Sequence, residues 1–268
     1  MDYGVESQHM EAFREALELG YGGQQPRALE LLEKLLQEIQ DDEHRGLIML
    51  YQALFLGHIS RLAEARERLR GVSKLWDGTP EHQARIRAFD GMLDEASGNA
   101  LGALKKLNGI LKEYRSLWNT DELRALYEEI QFTRGRLLVT TGDCRLALAV
   151  LEETLTFGRP KSGELYANIG LCYFEAQKWE KAEEMLALAL SHNLHPDYGS
   201  FAHYYLGRIF YLKGALAKAV KEFEVALSES QKAGTSPKLI YDALAKSSHY
   251  LGLSEEASRY DQLARSSD

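Results

Sequence analysis

Much of what usually announces chemistry is scarce in this chain of 268 residues. Cysteine occurs twice, as Cys144 and Cys172, which is too few for a disulfide framework or a thiolate zinc site and fits a reducing, cytoplasmic compartment. There are five prolines (Pro26, Pro80, Pro160, Pro196, Pro237), each placed where a helix can start or two can connect. Basic residues are in deficit, 32 Lys and Arg against 40 Asp and Glu, and a net charge of −8 argues against a general nucleic-acid binder. No apolar run approaches the roughly 18 residues of a membrane span. Met1 to His9 lacks the basic and apolar segments of a secretory signal. No HExxH or GxSxG motif occurs, and Gly20-Tyr21-Gly22-Gly23 lacks the Lys-Ser/Thr of a phosphate loop, so it reads as a turn. His192 and His195 form an HxxH ahead of Asp197, but no third ligand is fixed by spacing, and no metal, cofactor or catalytic residue is expected. The acidic pairs Glu128-Glu129, Glu152-Glu153 and Glu183-Glu184 read as solvated helix faces. A hydrophobic content of 45% nevertheless excludes wholesale disorder.

What the chain does have is a repeat. Ala28, Ala65, Ala103, Ala147, Ala182, Ala219 and Ala257 recur at intervals of 37, 38, 44, 35, 37 and 38 residues. Twelve residues before each stands another small residue: Ala16, Ala53, Gly91, Gly135, Gly170, Gly207 and Ala245. A small side chain at two fixed points per period lets two helices approach closely, and the period is the length of two short helices with two turns. Glycine marks the break before the second helix in five of the seven units (Gly23, Gly98, Gly142, Gly214, Gly252), as a left-handed cap requires. Four residues past each alanine come Leu32, Leu69, Leu107, Leu151, Leu186, Phe223 and finally Asp261. Three further on come Val72, Ile110, Ala189 and their equivalents, which completes one buried helix face.

The pattern is plainest at Tyr166-x-x-Ile169-Gly170-x-x-Tyr173 with Trp179, Ala182, Leu186 and Ala189. It repeats at His203-x-x-Leu206-Gly207-x-x-Phe210 with Ala219, Phe223 and Ala226. It resembles the tetratricopeptide repeat, from about Gln8 to Arg265, with Ala replacing the first-helix Gly in units one and two and Asp94 where an aromatic is usual. The resemblance implies an all-α, right-handed α-solenoid of antiparallel helix pairs, with first helices lining a concave groove and no chemistry of its own. The expected units are 8–41, 43–77, 80–118, 120–159, 162–196, 198–234 and 237–268, within a single solenoid domain 1–268. The longest interval is absorbed around Tyr114–Glu122, where Asn119, Thr120 and Asp121 can cap a longer first helix running from about Thr120 to Thr140. The last helix, Ser254–Ala264, is polar where the others are apolar, as a terminal cap would be.

Groove-facing offsets of the repeat pick out two contrasting sets. In units one to three they are largely apolar: Met10, Phe13, Leu17, Tyr21, Leu47, Leu50, Tyr51, Leu54, His58, Phe89 and Met92. Such residues are more often core, but if exposed they call for a partner helix or a second copy of the chain. In units four to seven the candidate set is Arg136, Asn168, Phe201, Tyr204, Tyr205, Arg208, Tyr211, Lys246 and Tyr250, with Phe132, Phe174, Asp242 and His249 at neighbouring offsets. Arg136, Arg208 and Lys246 share one offset, and aromatic and arginine side chains supply the strongest interface contacts. The competing reading is that the cations pair with acidic neighbours. The Lys/Asn/Asn/Lys/Arg clamp by which some members of the family hold acidic C-termini is not present. The expected function is a non-enzymatic scaffold that binds a peptide segment or helix of a partner protein, with no nucleic acid and no membrane. The alternative is a sensory module that closes on a small peptide or metabolite. A helical-repeat RNA binder is disfavoured by charge.

Overall fold

The computed structural model describes residues 3–118, 120–157, 162–192, 194 and 196–267. Among them are fourteen α-helices and no strand. The chain divides into two compact units, Met1–Thr141 and Gly142–Asp268, each with its own core. The first holds α1 (Tyr3–Tyr21), α2 (Gln25–Glu38), α3 (Asp42–His58), α4 (Leu62–Leu75), α5 (Pro80–Ala96), α6 (Ala100–Glu113) and α7 (Asp121–Thr140). The second holds α8 (Cys144–Thr154), α9 (Gly163–Glu175), α10 (Trp179–Ser191), α11 (Pro196–Leu212), α12 (Leu216–Ala233), α13 (Lys238–Tyr250) and α14 (Ser254–Arg265). Within each unit consecutive helices pack on one another and first helices touch the first helix of the next pair, so each is an α-solenoid of helix hairpins.

The small residues sit where helices cross. Ala28, Ala65, Ala103, Ala147, Ala182 and Ala219 are fully buried, and Ala257 nearly so. Their partners twelve residues earlier face the large residue four past the alanine. A Cβ added at Gly91 would stand 3.0 Å from Leu107 Cδ2, at Gly170 2.8 Å from Leu186 Cγ, and at Gly207 2.6 Å from Phe223 Cδ1. The repeat therefore encodes a contact: absence of a side chain on one helix admits a Leu or Phe from the other.

The hairpin turns follow the same code in the backbone. Gly23, Gly98, Gly142, Gly214 and Gly252 all have φ between 75° and 86°, and the two remaining break points, Ser60 and Gln177, are left-handed too, at 62° and 57°. Geometry is thus conserved around the array even where the sequence is not glycine. Local caps complete the ends: Asp41, Thr79, Asn99, Asp143 and Ser162 accept from the backbone N–H three residues on. The long first helix starts at Asp121; the Thr120 hydroxyl turns back to the Leu117 carbonyl at 2.8 Å instead of capping it, and Asn119 lies outside the described residues. Pro26, Pro80 and Pro196 lie in first turns and Pro237 just precedes α13, as expected, while Pro160 lies outside the described residues. Cys144 is the first residue of α8. Asp94, in the place of the usual aromatic, is nearly buried and answered by Lys106 Nζ at 2.8 Å.

Candidate functional site

The second unit brings together one part of the expected site and disperses another. One face of α11 carries Tyr204, Arg208, Tyr211 and Leu212, and α13 carries Leu239, Asp242, Ala243 and Lys246. With Phe223 of α12 as the floor they enclose a groove of about 320 Å³. Helical spacing of three and four residues is what aligns Tyr204, Arg208 and Tyr211 along α11, and Leu239, Asp242 and Lys246 along α13.

Arg208 is the centre of this arrangement. Its guanidinium carbon lies 4.6 Å from the ring centroid of Phe174, 5.6 Å from Tyr205 and 5.8 Å from Tyr204. The half-buried cation makes no ion pair and no side-chain hydrogen bond with any described residue. Each ring face is worth about 0.5–2 kcal/mol to a cation, which holds the guanidinium in place without neutralising it. Tyr205 is packed between Phe201 (4.8 Å), Phe174 (5.1 Å) and Tyr204 (5.2 Å). Burial pushes its hydroxyl pKa up, against the opposing pull of Arg208. Lys246 is exposed, carries no ion pair among the described residues, and stands one turn from Asp242. Tyr211 and Tyr250 meet edge to face at 5.9 Å, and Tyr250 is exposed at the rim with Leu212 and Leu239.

Two expected residues are otherwise engaged. Asn168 is buried and donates its amide to the Glu164 carbonyl one turn back at 2.9 Å, so that donor already has a partner. Arg136 belongs to the first unit, where it pairs with Glu95 at 2.7 Å and lies 5.9 Å from the Phe132 ring. Offset counting gave both a groove position but could not show Glu95, which comes 41 residues earlier in the chain. The candidate set left out the rim residues Leu212 and Leu239, which are 48% and 65% exposed, although they too fall on groove-facing offsets, five past Gly207 and six before Ala245.

The apolar set of the first unit is divided. Leu50, Leu54, Phe89 and Met92 are core. Phe13, Tyr51 and Phe89 form a ladder of edge-to-face rings at 5.5 and 5.2 Å, while Met10 and Tyr21 are about half exposed. An apolar groove of about 520 Å³ lies beside Met10, Phe13, Ile39, Leu47 and Ile48. No group of three ligating side chains occurs among the described residues, His195 lies outside them, and the His192 ring stacks on Tyr166 at 5.3 Å. Burial raises the pKa of Cys172, and of Cys144 to a lesser depth of burial, so neither is an activated thiolate.

Comparison with known proteins agrees with the architecture. A tetratricopeptide-repeat family model matches residues 132–198 and 197–234. The fold resembles the apo form of the quorum sensor NprR from B. thuringiensis, with a TM-score of 0.72 and 16% identity over 98% of this chain and 77% of that one. It also resembles a Rap protein complexed with competence and sporulation factor, with a TM-score of 0.65 and 14% identity over 97% of this chain and 77% of that one. In sequence the chain is 32% identical over 96 residues to the BBSome complex member BBS4 of Bos taurus and 29% identical over 144 residues to the transcription activator GutR of Bacillus subtilis. The first match covers 36% of this chain and the second 48%; they represent 18% and 17% of those proteins, so the chain spans less than a fifth of the curated relatives it matches. Over residues 132–234 the chain carries tetratricopeptide repeats.

Proposed function

We propose that this protein is a non-enzymatic scaffold that binds a peptide segment of another protein in the α11–α13 groove. The observation that carries this is Arg208: a half-buried cation held by three aromatic rings, lacking an ionic partner among the described residues, on the wall of an open groove. Such a constellation contributes little to the stability of its own fold, since a buried charge without a counter-charge is costly. Its energetic return comes on binding, where arginine and tyrosine dominate contacts. Asp242 and the net charge of −8 favour a protein partner over nucleic acid. Two unactivated thiols fit a reducing, cytoplasmic setting. The exposed Met10 and the groove beside it suit a second copy of the chain, and sedimentation of wild-type and Met10→Glu protein would report it.

The reading is tested by selecting peptides from a displayed library on the full chain. Their affinity is then measured for Tyr204→Ala, Arg208→Glu and Lys246→Glu. Losses of about tenfold or more are expected for Tyr204→Ala and Arg208→Glu. Arg136→Glu should leave affinity nearly unchanged, because that cation is already paired with Glu95. Equal affinity in all variants would remove the groove from consideration.

A sensory role is the second reading. It is favoured by the likeness to a named quorum sensor and to a Rap protein in complex with a signalling factor. In that case a short peptide would compact the chain, and small-angle scattering with and without a selected peptide separates the two: no change of radius leaves a passive scaffold.

A further inference from the structure

We infer that the α11–α13 groove selects ligands carrying a carboxylate next to a large apolar side chain, with Arg208 as the anion seat. This rests on the peptide-binding reading above and adds the chemistry of the peptide. Four observations converge. The Arg208 guanidinium carbon lies within 4.6, 5.8 and 5.6 Å of the ring centroids of Phe174, Tyr204 and Tyr205, and the side chain makes neither ion pair nor hydrogen bond with a described residue. Rings accept none of its N–H donors as a carboxylate would, and the donors' fixed fork matches the two oxygens of a carboxylate. Lys246 lines the same groove with no ionic partner among the described residues and adds a second, mobile positive charge. Leu212 and Leu239 leave 48% and 65% of their surface exposed at the rim, an apolar area that a neighbouring Leu, Phe or Tyr of the ligand would cover.

Asp242 narrows the class of anion. It is half buried, lines the groove one turn from Lys246, and makes no ion pair with a described residue. A dianionic phosphate needs more than one guanidinium and would be repelled by this carboxylate; a single negative charge is balanced by Arg208 and Lys246 against Asp242. Asp242 is also placed to accept from a backbone N–H or a cationic side chain of the same ligand. A carboxylate can come from an Asp or Glu side chain or from a free C-terminus, and the two share this chemistry.

The test uses a positional-scanning library of fluorescent hexapeptides, made with free and with amidated C-termini, titrated by polarisation against the full chain. The expected best pools place Leu, Phe or Tyr beside Asp or Glu, or beside a free terminus. Replacing that Glu by Gln, or amidating that terminus, should weaken binding by about 10–100-fold, the range of a charge-assisted hydrogen bond, and tells the two sources apart. Arg208→Gln should lose the same factor for acidic pools and little for neutral ones, and Arg208→Lys should fall between. Changes on the peptide side report even if an Arg208 variant folds poorly. Tight pools without any carboxylate, whose binding is lost in Leu239→Glu, would overturn the anion seat while leaving the peptide groove intact. No measurable binding by any pool would overturn the peptide groove and the anion seat together.

Discussion

At the scale of single residues the structure is most exposed at the two hairpin turns that lack glycine. Ser60 and Gln177 hold φ of 62° and 57°, a region that costs an L-residue about 1–2 kcal/mol. Glycine removes that cost but adds about 0.5–1 kcal/mol of unfolded-state entropy. Gln177→Gly and Ser60→Gly should therefore each stabilise by about 0.5–1 kcal/mol, read as a raised midpoint in urea. The converse, Gly214→Ala at φ 75°, meets no atom within 4 Å of the new Cβ, so its expected loss of about 1 kcal/mol is purely backbone. An unchanged midpoint in all three would show the turns to be unstrained. A second residue-scale prediction concerns Tyr173, whose hydroxyl donates to Glu152. That bond to a carboxylate, with burial, pushes its pKa up to about 12 from an ordinary 10. The folded value is the higher one, so the contribution to stability is complete below pH 10 and is lost as pH rises towards 12. Absorbance at the tyrosinate band should show a late-titrating tyrosine that moves back towards 10 in Glu152→Gln while the other late tyrosines stay put. A superimposable titration in the two proteins would remove the bond as the cause.

At the scale of elements the hairpin contact is what specifies the fold, and it can be graded. A Cβ at Gly207 would stand 2.6 Å from Phe223, which is 1% exposed and cannot retreat, whereas at Gly91 it would stand 3.0 Å from Leu107. Gly207→Ala should cost about 1–3 kcal/mol, the range for overpacking a core, and Gly91→Ala distinctly less. Phe223→Leu should recover part of the loss in the first case, and an equal cost at both sites would contradict the contact. This contact is also why the architecture was readable from sequence. A missing side chain at one position and a large one at a fixed distance are properties of the sequence itself, so the helix hairpins within each unit and their turns follow from spacing. The site was readable only in part. Tyr204, Arg208, Tyr211 and Lys246 line one groove because helical offsets alone align them. Asn168 spends its amide on Glu164, and Arg136 finds Glu95 across the first unit. Those outcomes depend on which neighbour lies within reach, and an offset carries no such information.

At the scale of the whole molecule the decisive property is that within each unit, among the described residues, helices touch only near neighbours in sequence. Stability in such an array is a sum of local terms and nearest-neighbour contacts, with no single core shared by all residues. The terms are uneven. α12 buries Ala219, Phe223 and Ala226 against Ile240 and Leu244, whereas α14 buries only Ala257 and Ala264 and exposes Asp261 where other second helices place Leu or Phe. Hydrogen exchange should accordingly be fastest in α14 and slowest in α9 to α12, and thermal unfolding should give a van't Hoff enthalpy below the calorimetric one. The sharper form of the prediction combines scales. Gly207→Ala weakens the α11–α12 contact, so exchange in those helices and in α13 should accelerate while that of α3 to α6 stays within error. In a globular protein with one cooperative core, the same substitution would lower protection everywhere by one common factor. Observation of that common factor would mean that the array unfolds as a single body, and the local reading of its energetics would be wrong.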